Sequence, residues 1–504
     1  METILNEKVE AFKELIKKIK AYNEAINVMY WDLRTGAPEK AVDGRSEVIG
    51  MLSSEVFQLS TSNELGELLE YLSQPEQDKN LDEITRAAVK VTKKDFDQNK
   101  KIPADLYKEY VVLTSKAESV WAEAKDKSDF SLFQPYLEKI VHFNQQFAEL
   151  WGYEGSKYNA LLDNYEQGMT VEKLDPIFTA LREDLVPLIQ KVAEAKQVET
   201  SFLRKKYPKH QQEQFSKYIL EEMGYDFKAG RIDETVHPFQ ITLNHGDVRV
   251  LTKYEENDLT VSLFSTLHEG GHAQYEQNIA SELDGTPIYE GASMGIHESQ
   301  SRFWENVVGR NELFWNNYYS KLTEMFPEQL KDVAVKDFYK GVNEIKPSLI
   351  RIDADELTYN LHIMLRYELE KALINGEISV DQLPALWNEK MKDYLGVEPA
   401  NDGEGVLQDV HWSAGLIGYF PTYALGNIYA AQFTEQMKKE LSNFDQLMLE
   451  GNLIPIKEWL DEKIHQYGKL KTPTQLLKDI TGEELNAKYL IQYLTNKVND
   501  IYNV

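Results

Sequence analysis

Amphipathic helical periodicity runs through most of this 504-residue chain and constrains its fold more than any other feature. In VEAFKELIKKIKAYNEAINVMYWDL, Val9, Phe12, Leu15, Ile16, Ile19, Tyr22 and Ile26 recur every three or four residues. That spacing marks one apolar face of a long helix. Similar segments follow to about residue 230, and the pattern returns beyond residue 300. Glycine and proline number only 27 and 16, which favours long helices over many short strands joined by tight turns. A chain of this length exceeds what one small core organises, so a large multi-helix body is expected.

One stretch reads differently. In HPFQITLNHGDVRVLTKY, residues 237–254, Phe239, Ile241 and Leu243 alternate, NHGD supplies a turn, and Val248 and Val250 alternate again. This predicts a β-hairpin. No internal repeat, low-complexity tract or long linker interrupts the chain.

Charge and cysteine content exclude several functions. A net charge of -28 leaves no basic stripe to displace counterions from phosphate, which argues against nucleic acid and disfavours anionic membranes. With no cysteine, disulfides, thiol nucleophiles and thiolate metal sites are excluded. That absence fits a reducing compartment, and the charged N-terminus is unlike a signal peptide, so a cytoplasmic location is expected. Residues 411–434, HWSAGLIGYFPTYALGNIYAAQFT, lack charge and are long enough to span a bilayer. Pro421, the glycines, Asn427, Gln432 and the tyrosines argue instead for a buried wall lined with hydroxyls.

STLHEGGHAQYE, residues 265–276, carries the chemistry. His268 and His272 lie one above the other on a helix, so their imidazoles can converge on one ion. Glu269 projects close to such an ion without ligating it, and can take a proton from its bound water. Gly270 and Gly271 inside a helix cost roughly 1 kcal/mol each relative to alanine, which implies close approach by substrate or a neighbouring element. Five of the ten histidines fall between His237 and His297. Catalytic zinc usually takes three protein ligands. Glu276 stands about 12 Å along the helix from His268 at 1.5 Å per residue, too far to converge easily. A second helix should supply the third ligand, and His297, Glu298, Glu282 and Glu290 are all open candidates.

Several motifs together resemble the carboxypeptidase Taq family of metallocarboxypeptidases. They are HPF (237–239), DVRVLT (247–252), HEGGH (268–272), HESQSR (297–302), IRIDAD (350–355), GVLQDVHW (405–412) and an early WDLRTGAP (31–38). The resemblance implies a mainly helical fold with a deep groove, a small sheet beside the zinc helix, and removal of single C-terminal residues from peptides. It implies Glu298 as the third ligand, with His297 supporting a ligand from outside. It also implies a homodimer, and zinc that cobalt can replace. The expected organisation is one peptidase unit, 1–504, with a helical lobe over roughly 1–230 and the catalytic part over 231–504.

An amide under hydrolysis passes through an oxyanion that needs a donor beyond the metal. His411 and Tyr423 suit this, and resemblance to related zinc peptidases implies that the pair binds the oxyanion. A free C-terminus needs a cation, for which Arg351 is the first candidate and Arg249 the second. Pairing of Arg351 with Asp355 four residues on is the competing expectation. His237, held by Pro238 at the hairpin's entrance, is assigned to the substrate path, with a purely positional role as its alternative. Asp355 and Asp409 read as orienting partners. The rival functions are a zinc oligopeptidase cutting internally and an inactive helical peptide-binding scaffold.

Overall fold

The first helix, Glu2–Thr35, is a continuous rod of 34 residues in a computed structural model that describes residues 2–504. Leu5, Phe12, Leu15 and Ile16 bury against Leu65, Leu68, Leu69 and Leu72, forming a small core of their own. The second half of the helix leaves that core and crosses the sheet. Asn27 Nδ2 donates to the Thr242 carbonyl at 3.1 Å, and Asn244 Nδ2 donates to the Glu24 carboxylate at 2.7 Å.

The hairpin forms from β2 (Phe239–Asn244) and β3 (Asp247–Thr252), paired antiparallel across His245 and Gly246. A short strand, β1 (Ile232–Glu234), adds parallel to β3 and gives the order β1-β3-β2. Periodicity could not reveal β1, because three residues are too few to display alternation. Val248, Val250 and Leu251 are fully buried, and Thr252 Oγ1 meets Ser265 Oγ of the next helix at 2.6 Å.

A larger core, running from Ala117 to Tyr502, encloses three helices that matter for function. They are the histidine helix (Leu259–Gln277), the glutamate helix (Met294–Arg302) and the tyrosine helix (Pro421–Glu440). The glutamate helix continues into a π turn, Phe303–Val308. It is packed between the other two, and glycines permit the approach. A Cβ on Gly271 would lie 2.6 Å from the Gln300 carbonyl oxygen and 2.8 Å from Ser301 Cα. On the opposite side, a Cβ on Gly426 would lie 2.4 Å from Glu298 Cγ. Gly270 faces Leu220 in the same manner, at 2.5 Å. Neighbouring helices therefore account for both glycines of HEGGH.

Gly271→Ala is consequently expected to destabilise the fold. The clash is with backbone, which yields less than a flexible side chain, so a net loss of ~1–3 kcal/mol is expected from overpacking. Urea denaturation of the purified variant checks this; an unchanged midpoint would show that the helices are not held this close.

The uncharged stretch 411–434 is mostly buried wall, with Trp412, Phe420, Thr422, Asn427 and Gln432 all inside. No helix among the described residues is long and apolar enough to cross a membrane. A cleft of about 1150 Å³ opens between the first helix, the hairpin and the segment leading to the glutamate helix. His297 and Glu276 line this groove.

Candidate active site

The local sequence first sets the histidine helix. Asp258 caps its start by accepting from Thr260 N at 3.0 Å, satisfying a donor that the first turn leaves free. The glutamate helix starts similarly at Ser293, whose hydroxyl accepts from Ile296 N at 3.0 Å. The two helices thereby present His268, His272 and Glu298 to one another, the single group among the described residues able to hold a metal ion.

Glu298 Oε2 lies 3.7 Å from His268 Nε2 and 3.5 Å from His272 Nε2. These separations exceed good hydrogen bonds. They are close to the roughly 3.3–3.4 Å expected between two ligands at ~2.0–2.1 Å in tetrahedral geometry. The three donors, two imidazoles and one carboxylate, suit zinc or cobalt.

Each imidazole is oriented from its far side. His268 Nδ1 meets Glu305 Oε2 at 2.8 Å. His272 Nδ1 meets His297 Nδ1 at 2.6 Å, and His297 Nε2 meets Glu276 Oε1 at 2.9 Å. With both Nδ1 atoms engaged, both Nε2 atoms turn toward Glu298. Such outer partners fix ring orientation and raise the basicity of a ligand. Glu298 Oε1 is held by Arg302 Nε at 2.7 Å, which leaves Oε2 toward the histidines.

Burial dominates the electrostatics. It depresses His272 to about 3, keeping that ring neutral with a free lone pair. Burial alone would raise Glu298, but Arg302 and the two imidazoles hold it well below the usual carboxylate range. Glu305 is likewise pulled down to about 2 against its burial, chiefly by Arg302 and His268. Glu269 behaves oppositely. Burial pushes it up to about 7, with Glu298 and Glu305 adding to the rise and His268 opposing it.

The remaining sequence-selected residues fall into separate places. His411 and Tyr423 come together, with His411 Nε2 3.2 Å from Tyr423 Oη. Burial lowers His411 to about 4 and raises Tyr423 well above its ordinary value, so the imidazole stays neutral and the phenol protonated. One helical turn after Tyr423, Gly426 packs on the Glu298 side chain.

Arg351 does not pair with Asp355. Its segment is a three-residue 3-10 turn, not a helix, so the i, i+4 geometry required for that pair never forms. Asp355 instead accepts from Leu357 N and Thr358 N, both at 3.0 Å. Arg351 bonds Asp409 through Nε at 2.9 Å and Nη2 at 2.8 Å, and donates from Nη1 to Tyr359 Oη at 2.9 Å. Its guanidinium carbon lies 5.1 Å from the Tyr423 ring centre. Arg249 is bound by Asp247 at 2.8 and 2.6 Å and lies over Trp31 at 4.2 Å. The DVR and WD motifs thus meet at the sheet. His237 occupies an exposed bend ahead of β2.

Glu305 was not singled out by motif, although it follows Glu298 by seven residues, two helical turns on the same face. Arg302 ties those two carboxylates together. Glu276, set aside as a ligand on distance, serves as the carboxylate behind His297.

Known proteins resemble this chain over nearly its whole length. The model of the family described as carboxypeptidase Taq (M32) metallopeptidase matches residues 11–498. Carboxypeptidase 1 of Bacillus subtilis is 53% identical over 492 residues, covering 97% of this chain and 98% of the relative. Thermostable carboxypeptidase 1 of Thermus thermophilus is 41% identical, covering 94% of each. The crystal structure of an M32 carboxypeptidase from Deinococcus radiodurans superposes with a TM-score of 0.96 at 35% identity, covering 99% of this chain and 100% of that one. Two histidines and a glutamate converging between paired helices, in a chain similar to these relatives over nearly its whole length, place it in one family: the chain belongs to the carboxypeptidase Taq (M32) metallopeptidases.

Proposed function

We propose that the chain is a zinc-dependent carboxypeptidase that releases C-terminal amino acids from peptides, with Glu269 as its base. The observation that carries this reading is the convergence of His268, His272 and Glu298 beside Glu269. Zinc held there would lower the pKa of a bound water toward ~7 and polarise the scissile carbonyl. Glu269 takes the proton of the attacking water and delivers it to the departing amine. Its burial, which favours the protonated form, helps it hold the proton between the two halves of that transfer. Tyr423, kept protonated, donates to the oxyanion, and His411 orients the phenol through its Nε2. Cobalt is the expected substitute ion.

Arg351 binds the substrate's terminal carboxylate. Of the five N–H groups in a guanidinium, its bonds to Asp409 and Tyr359 leave others for a ligand, and it stands beside Tyr423. In a protein of charge -28, such a local cation is what draws a free C-terminus into the site. Cleavage of an unblocked peptide is followed by mass spectrometry over time, with and without chelator. Stepwise loss of C-terminal residues is expected, and the C-terminal amide should be a poor substrate. Internal fragments from both peptides would favour an oligopeptidase instead. Arg351→Ala should cost ~2–5 kcal/mol in transition-state binding of the free acid and leave the amide little changed. Equal losses on both peptides would make Arg351 structural and move the search to Arg249.

The continuous core from Ala117 to Tyr502 runs through both expected lobes, which supports treating that stretch as one peptidase unit. The 19-residue helix Val42–Ser60 buries none of its side chains within one copy, which supports a homodimer, testable by light scattering.

A further inference from the structure

Glu370 lies on the helix Tyr359–Asn375 and is fully buried. Its carboxylate accepts three hydrogen bonds: from Trp412 Nε1 at 2.8 Å, from Gly418 N at 2.9 Å and from Tyr158 Oη at 2.6 Å. Trp412 and Gly418 are the two ends of one small loop. Inside it, Leu416 N donates to the His411 carbonyl at 2.9 Å, and Tyr110 Oη donates to the Gly415 carbonyl at 3.2 Å. Gly418 adopts φ of +97°, and a Cβ there would stand 3.0 Å from the Leu161 carbonyl. Only glycine fits both the left-handed backbone and that approach.

The residues flanking the loop belong to the site. His411 immediately precedes Trp412, and Tyr419 immediately follows Gly418. The His411 ring packs on Phe420 at 4.4 Å, and Tyr419 packs edge-on against Tyr423 at 5.3 Å. We infer that Glu370 is a positioning residue: by gripping Trp412 and Gly418 with one carboxylate, it fixes where His411 and Tyr423 stand relative to the reacting carbonyl. The inference rests on reading Tyr423 as the oxyanion donor and His411 as the group that orients it.

A carboxylate is the acceptor this grip needs, because both its oxygens accept while a glutamine amide nitrogen only donates. In Glu370→Gln, the amide nitrogen must face either the indole N–H or the Gly418 and Tyr158 donors, so one end of the loop is released.

The test uses the zinc-loaded full chain. Glu370→Gln and Trp412→Phe should each lower kcat ~10- to 100-fold, the cost of a small misplacement of acting groups. Metal content and KM should be unchanged. Affinity for a phosphinic peptide, which mimics the tetrahedral anion, should weaken in parallel with kcat. Tyr423→Phe should also lower kcat, and adding Glu370→Gln to it should cost little more, since the group being positioned is already gone. Losses that multiply in the double variant would overturn the inference alone. So would losses confined to KM or to metal content. A Tyr423→Phe enzyme with full kcat would overturn the oxyanion reading and this inference with it. Should Glu370→Gln fail to fold, Trp412→Phe, which keeps an aromatic side chain, though a smaller one, and deletes the indole donor, decides the question.

Discussion

Chelation is expected to abolish activity, zinc or cobalt to restore it, and His272→Ala to make the loss permanent. Burial depresses His272 to about 3, so its ring is neutral near pH 7. Its Nε2 is available because Nδ1 is occupied by His297, which Glu276 backs in turn. Alanine removes one of the three proposed ligands and leaves Glu298 with a single imidazole partner. Two ligands do not hold a borderline-soft ion against water and buffer as three do. The expected readings are about one divalent ion per chain in the native protein and almost none in His272→Ala by elemental analysis, with peptide turnover at background. A variant that kept its metal would show that the ligand set is wrong.

How far the site could be read in advance depended on how local each feature is. The His268–His272 pair is a helix-periodic motif, and the helix and hairpin around it follow from local patterning. The proposed third ligand is not local. Which glutamate approaches depends on how the histidine and glutamate helices pack, and that is decided by Gly271 against Gln300 and Ser301, and by Gly426 against Glu298. Spacing alone therefore left His297, Glu298, Glu282 and Glu290 open, and family resemblance chose among them. Glu305 repeats the face of Glu298, but nothing in its neighbourhood says that a histidine from another helix waits opposite. Arg351 shows the converse error: i, i+4 spacing suggested Asp355, but the chain turns there, and its partner Asp409 lies 58 residues away. Glu370 ties its own helix to Tyr158 and to the Trp412–Gly418 loop, three distant segments, and leaves no periodic trace. Local patterns reveal elements and ligands within one element, whereas the groups that orient those ligands come from packing.

Glu269→Gln should separate chemistry from binding. The side chain adjoins His268 on the histidine helix yet stands outside the triad whose ligand atoms converge. The change is isosteric, so fold, metal content and peptide affinity should stay near those of the native enzyme. It removes the ability to accept a proton, and with it the activation of the attacking water and the return of that proton to the amine. Loss of a positioned general base costs at least ~10²-fold, and this group serves both transfers, so kcat should fall by that much or more while KM holds. Glu298→Gln supplies the contrast. It exchanges a charged ligand, held far below its ordinary pKa by Arg302 and the histidines, for a neutral amide. That variant should lose metal, and its activity should recover in part at high zinc, whereas Glu269→Gln should gain nothing from added zinc. A Glu269→Gln enzyme that kept most of its rate would require another base for the water, and no mechanism built on Glu269 would survive.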